Sequence, residues 1–390
     1  MIVFISGSWP DTSRGYSIAN LSTLSFFSEM GYTSIYVGPS EEKLNSQMEK
    51  KFKNVQFLGV DLTRESKGVR FLKSLFSSKS AISVRFWKAA HLLPERLRSA
   101  GLVDTNEVIF FYEDIPAAYL LKQLKREFSL ANHIVRSHNV VYKGFQGMTN
   151  TGNFLMKWAW KLELKKIYDH EKEVFGLADR FYAISEDDAE WYRERMQIKP
   201  DGIIGFYLDE IFFQSVPISG SQPNLLYLGS ADLRKGQALN RFIKECWPLV
   251  RPAVPDATFI LGGMGTETVH DPSNGIIGLG YVDSADEVLQ KGNIFINPQQ
   301  VGAGIKIKSL IALASSRLLI STPVGVEGTG LKDGVHCIVA ENVDEMAEEI
   351  IRYLRNPDEQ LRIVDRGKKF VEEEFSKERF FESMENYFPQ

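Results

Sequence analysis

The sequence predicts an α/β chain built as two Rossmann-like domains facing each other across a cleft. Three observations predict this. Short apolar runs alternate with amphipathic stretches along the chain, as the strands and helices of parallel sheets do. At 390 residues the chain is too long for one ordinary core. A Pro/Ser/Gly-rich stretch, 208–224, has no helical period, and the alternation restarts after it.

The elements follow in order. Met1–Gly7 reads as a buried strand, and a polar loop, 8–15, leads into a helix over Tyr16–Met30 that stops at Gly31. Strands are expected at Thr33–Val37, Val55–Leu58, Val108–Tyr112, His133–Ser137 and Arg180–Ile184. Ser185 followed by Glu186, Asp187 and Asp188 reads as a helix start, where acids favour the dipole. Beyond the break come strand Leu225–Leu228, helix Gln237–Arg251, strands Ala257–Gly262 and Gly275–Leu279 and helix Asp286–Gln290. Strand Ile294–Asn297, helix Lys308–Ala314 and strands Leu318–Thr322 and Cys337–Ala340 complete the second half. The tail Val343–Pro389 is mostly helical, with Phe380 and Phe381 as apolar anchors. Ligands of such sheets bind beyond the carboxyl ends of the strands.

Composition narrows the class. With 44% hydrophobic and 25% charged residues the chain is globular. Cys246 and Cys337 are far apart and make neither a disulfide framework nor a ligand spacing, which suits a reducing cytosol. No apolar run approaches the ~20 residues that span a bilayer, and the N-terminus opens as a strand, not a leader. The expected place is cytoplasmic, with the inner face of the membrane as an alternative. Residues 1–200 hold 28 Lys/Arg against 23 Asp/Glu, and residues 201–390 hold 18 against 27. A cationic half beside an anionic one suits an anionic partner for the first half, and ordinary surface variation explains it as well. The acidic balance and the lack of a recognised module argue against nucleic acid. The first strand is not followed by G-x-G-x-x-G, which argues against a nicotinamide oxidoreductase.

Several residues carry chemistry. Gly262, Gly263 and Gly265 follow one strand, and Gly302 and Gly304 follow another and open a helix. Such turns let backbone amides approach a phosphate at a positive helix end, and they equally serve as plain turns. Arg234 and Lys235 place two cations just after a strand, and Lys306 and Lys308 sit at the start of a helix.

These pieces, in order, resemble the retaining glycosyltransferases of family 4, which have the two-domain GT-B fold. The resemblance rests on LLYLGSADLRKG (225–236), WPLVRPAVPDATFILGGMG (247–265), GLGYVDSADEVLQKGNIFINP (278–298) and GAGIKIKSLIALASSRLLISTPVGVEGTGL (302–331). VRSHNVV (135–141) resembles the R-x-H-N segment of that family, and GFYLDEIFF (205–213) its interdomain turn. The resemblance implies an acceptor-binding domain over 1–207, a linker over 208–224 and a nucleotide-sugar domain over 225–369. A C-terminal helix at about 370–390 rejoins the first domain.

It also implies roles. Lys235 matches the lysine that holds the donor diphosphate as it leaves, where developing charge most needs stabilising. His138 matches the histidine that faces the donor sugar. Arg234, Gly263, Gly304, Lys308 and Gly15 match donor-binding positions. The chain departs from the family at Ile311, where a glutamate usually receives the ribose hydroxyls. Three readings stay open there: a donor with fewer hydroxyls, another group such as Glu327 taking over, or a domain that no longer binds a donor.

Residues 64–98 mix nine Lys/Arg with bulky apolar residues, and Phe154–Trp160 does likewise. Basic and apolar residues at helical spacing suit an interfacial helix on anionic lipid, and equally a solvated face over a packed core. The function the resemblance implies is metal-independent, retaining sugar transfer with no cofactor beyond the nucleotide-sugar substrate. Its setting is bacterial surface polysaccharide synthesis, with a glycan or lipid-linked acceptor. The alternative is a catalytically inactive partner or scaffold of the same fold.

Overall fold

The computed structural model describes residues 1–11, 15–40, 48, 50–60, 67–77, 79–150, 153–214, 223–231 and 236–389. The chain divides into two compact units, Met1–Phe206 with Phe380–Gln390, and Tyr207–Arg379.

The first unit is built on a parallel sheet. Its strands are β1 (Ile2–Ser6), β2 (Ser34–Pro39), β3 (Val55–Val60), β4 (Ile109–Glu113), β5 (Asn132–Ser137), β6 (Arg180–Ala183) and β7 (Gly202–Ile203). They lie in the order β3-β2-β1-β4-β5-β6-β7. Every residue of β1 is buried, because helices cover both faces of the sheet. Phe4 stacks between Tyr36 and Phe111, at 5.2 and 5.6 Å between ring centroids. Phe27 meets Phe111 edge-on at 5.6 Å, and Phe388 from the end of the chain meets Phe27 at 5.2 Å.

The second unit repeats the design with β8 (Asn224–Leu228), β9 (Thr258–Gly262), β10 (Ile276–Gly278), β11 (Ile294–Asn297), β12 (Leu318–Ser321) and β13 (Ile338–Val339). Their order is β10-β9-β8-β11-β12-β13, again all parallel. The α/β class with two parallel sheets is thus as the alternation predicts.

Two elements differ from expectation. The helix expected over Gln237–Arg251 runs as Gly236–Arg241, a wider turn at Phe242–Cys246, and Trp247–Ala253. Pro248 has no N–H to give to the carbonyl four residues back, and the wider turn absorbs that gap. Residues 64–98 are not one surface helix. Helix Lys67–Leu75 is followed by a turn at Ser83–Phe86 and helix Trp87–Ser99. Phe86, Leu93 and Leu97 of the latter two are buried in the core, while Val69 and Leu72 of the first helix are exposed. Of the expected linker, residues 215–222 lie outside the described residues, while Leu208 N donates to Phe375 O at 3.0 Å.

Candidate functional site

In the first sheet the strand order turns outward in both directions from the β1/β4 pair, and the carboxyl ends of these strands form its binding position. Three consecutive features meet there: the end of β4 (Glu113, Asp114), the end of β5 (Arg136, His138) and the first turns of helix Gly15–Glu29.

Glu113 and Arg136 are fully buried and face each other across adjacent strands. Arg136 Nε donates to Glu113 Oε2 at 2.8 Å, and its terminal nitrogens reach Glu113 Oε1, Gly205 O (2.6 Å) and Ala19 O (3.0 Å). One guanidinium thus ties together β4, β5, the helix and the segment after β7. His138 Nε2 donates to Glu113 Oε2 at 2.8 Å. That bond leaves Nδ1 as the ring nitrogen not engaged by Glu113. Tyr16 lies over the His138 ring at 4.3 Å and donates its hydroxyl to Glu113 O at 2.6 Å.

Burial pushes the Glu113 carboxyl upward, but Arg136 and His138 outweigh it and hold the group below its ordinary value. Glu113 is therefore the fixed anion of this cluster. Asp114 beside it is raised by burial. Asp114 adopts φ 88°, a left-handed conformation unusual for an aspartate, and its Oδ1 accepts from Ile115 N at 2.8 Å.

The loop carrying His138 is braced from behind. Glu171 on helix Phe154–Leu177 accepts from Val141 N (2.9 Å), Tyr142 N (3.2 Å) and Tyr192 Oη (3.1 Å). Ser137 Oγ donates to Asn139 O at 2.6 Å. Burial raises the Glu171 carboxyl to about 7, its hydrogen-bond donors only partly offsetting that.

In the second sheet the outward turn falls between β8 and β11. Asn297 at the end of β11 donates to Ser309 Oγ (2.8 Å) and Gly325 O (2.9 Å), joining the starts of helices Ile307–Ala314 and Pro323–Val326. Lys306, immediately before the first of these helices, is 5% exposed. Its Nζ donates to Gly304 O at 2.6 Å and lies 3.5 Å from Glu327 Oε2. Lys306 thus stands nearly buried at a helix N-terminus beside glycine turns, its ammonium held by Gly304 O and Glu327.

The individually expected residues fall as follows. His138 stands in the buried cluster of the first unit, and Gly15 opens helix Gly15–Glu29 at the end of β1. Gly304 (φ 74°) and Glu327 flank Lys306, and Lys308 is half-buried with Nζ 5.0 Å from the Tyr227 ring centre. Gly263 has a structural reason for being glycine. A Cβ there would stand 2.3 Å from Gly229 O, and its amide already donates to Gly280 O at 2.7 Å. Arg234 and Lys235 lie outside the described residues. Ile311 is half-buried on the helix that Lys306 precedes. Sequence reading passed over Glu113, Tyr16 and Glu171. The available signal was an acid ending the otherwise apolar strand Ile109–Glu113, which demands a buried partner.

Residues 222–356 match the family model described as Glycosyl transferases group 1. A protein from Klebsiella pneumoniae, described as an uncharacterized 44.6 kDa protein in cps region, is 25% identical over 275 residues, 65% of this chain and 67% of its own. Among solved structures, sucrose-phosphate synthase from Thermosynechococcus elongatus superposes with TM-score 0.71 at 14% identity, covering 99% of this chain and 98% of its own. HepE from Anabaena, in complex with UDP and glucose, gives 0.68 at 11%, covering 99% and 98%. WaaG, a glycosyltransferase involved in lipopolysaccharide biosynthesis, gives 0.68 at 11% and covers 100% of both chains. At these identities the likeness speaks to the fold, which is that of the GT-B glycosyltransferases.

Proposed function

We propose that the chain transfers a sugar from a nucleotide-diphosphate donor to a glycan or lipid-linked glycan acceptor in the synthesis of a bacterial surface polysaccharide. The transfer is metal-independent and retains the anomeric configuration. The second unit takes the nucleotide, and the first supplies His138 and the acceptor surface. The observation that carries this reading is Lys306, a nearly buried ammonium at the β8/β11 turning point of a domain that matches the group 1 family.

Lys306 and Lys235 neutralise the diphosphate as it departs, which lowers the barrier because leaving-group charge grows toward the transition state. His138, its Nε2–H given to Glu113, offers Nδ1 as an acceptor to a hydroxyl of the donor sugar. Glu327 receives donor hydroxyls in place of the glutamate that Ile311 replaces.

The testing experiment is a calorimetric titration with UDP, GDP, dTDP, ADP and CMP. UDP goes first because it occupies HepE. One nucleotide binds, and Lys306→Ala and Lys235→Ala each weaken it roughly tenfold, about the worth of a charge-assisted contact. His138→Ala keeps the affinity and loses transfer. If no nucleotide binds, the donor reading falls and a non-catalytic role as an assembly partner takes its place.

A further inference from the structure

The first unit carries an outward apolar face that its own core does not use. Helix Lys67–Leu75 turns Ser74 inward, where its Oγ donates to Glu163 Oε2 at 2.9 Å, and Phe71 packs on Trp160 with ring centroids 4.7 Å apart. The helix therefore lies along the first half of helix Phe154–Leu177. Its opposite face carries Val69, Leu72 and, just past its end, Phe76, spaced i, i+3, i+7, with Leu72 60% and Phe76 93% exposed. The neighbouring helix opens with Phe154, Leu155, Met156 and Trp158, all exposed and Phe154 at 80%. Seven large apolar side chains on two touching helices form a patch of the kind that marks an interaction surface.

The charge around this patch selects its partner. Lys67–Leu75 and residues 154–161 together hold Lys67, Arg70, Lys73, Lys157 and Lys161 and no acid, although the whole chain is net −4. A protein groove would bury the apolar face and gain little from the cations these two stretches carry. An anionic bilayer offers a hydrocarbon boundary for the aromatic tips and phosphates for the ammonium groups. Among the described residues no helix is long and apolar enough to cross a membrane, so the contact is with the surface.

We infer that these two helices form a docking face for an anionic lipid bilayer. The face binds with Phe76, Leu72, Phe154 and Trp158 entering the headgroup boundary while Lys73, Lys157 and Lys161 contact phosphates. The inference rests on this surface and not on the transfer reading, because vesicle binding is read with neither donor nor acceptor present.

The test is flotation of the full chain with vesicles of phosphatidylcholine alone and of phosphatidylcholine mixed with phosphatidylglycerol, at low and high salt. The chain floats with the anionic vesicles at low salt, and high salt reduces the bound fraction. The variants Leu72→Ser/Phe76→Ser and Phe154→Ser/Trp158→Ser each lower partitioning at least tenfold with an unchanged thermal midpoint, since their side chains are already in water. Lys157→Glu/Lys161→Glu lowers binding to anionic vesicles alone. Equal flotation of wild type and both apolar variants overturns the inference, as does wild-type chain that stays unbound on anionic vesicles. Concentration-dependent dimerisation abolished by the same variants, without vesicle binding, also overturns it and gives the face to a second copy.

Discussion

Replacing Glu113 by glutamine keeps the shape of the buried cluster and removes the carboxylate that contacts the Arg136 guanidinium and the His138 ring. Arg136 is fully buried, so its charge would stand without a counter-ion, although Gly205 O and Ala19 O still accept from it. Breaking a buried pair on one side costs roughly 3–5 kcal/mol, and the remaining carbonyls argue for the lower end, about 3 kcal/mol. For a unit of this size that lowers the thermal midpoint by roughly 6–12 °C. The assay is thermal unfolding by circular dichroism between neutral and acid pH. The native carboxyl lies below its ordinary value of 4.5, so its contribution is present above 4.5 and is lost as pH falls through the lower native value. The glutamine variant lacks that contribution, and the two curves converge on acidification. The double variant Glu113→Gln/Arg136→Met leaves no uncompensated charge and is less destabilised than the two single losses summed. A midpoint shift under about 2 °C for Glu113→Gln, or strict additivity in the double variant, would refute the argument that one carboxylate neutralises this cluster.

Further outcomes follow from other bonds. Glu171 titrates at about 7 when folded against an ordinary 4.5, so its protonated form stabilises the fold below 4.5 and that stabilisation is lost as pH rises through 7. The difference is on the order of 3 kcal/mol, and Glu171→Gln flattens the fall in stability between those values. A variant curve parallel to the wild type in urea titrations at several pH values would disprove it. Gly263→Ala drives a Cβ to 2.3 Å from Gly229 O at φ 133°, and urea unfolding of the second unit registers a loss of about 3 kcal/mol or more. Gly205→Ala, with its nearest contact at 3.9 Å, is the control and costs little. Equal midpoints for the two alanine variants count against the backbone clash.

The sheets were legible because parallel strands buried on both faces are written as unbroken apolar runs, as in Ile2–Ser6 and Leu318–Ser321. Local signals were equally readable: Ser185 Oγ accepts from Asp188 N at 3.2 Å and caps the helix that the following acids announce. His138 could be singled out by its motif. Glu113 and Glu171 could not, because their meaning depends on partners 23 and 30 residues away, brought near by the register of the sheet for Glu113 and by the packing of helix Phe154–Leu177 for Glu171. The basic stretch 64–98 left two readings open for a related reason. Amphipathic spacing gives the period of a helix but not which side faces the core, and Phe86 and Leu93 turned inward where Phe76 did not.

The division of the first unit between the two ends of the chain has a consequence for how the protein is made. Phe26 and Phe27 are covered by Phe381 and Phe388, at 5.2 Å in each case, and these leave the ribosome only after all of the second unit has been synthesised. The nascent first unit therefore waits with an uncovered aromatic ledge while its neighbour emerges and folds. Production of residues 1–206 alone, or loss of the last eleven residues, leaves that ledge permanently bare and invites aggregation. A purification tag belongs at the other end of the chain.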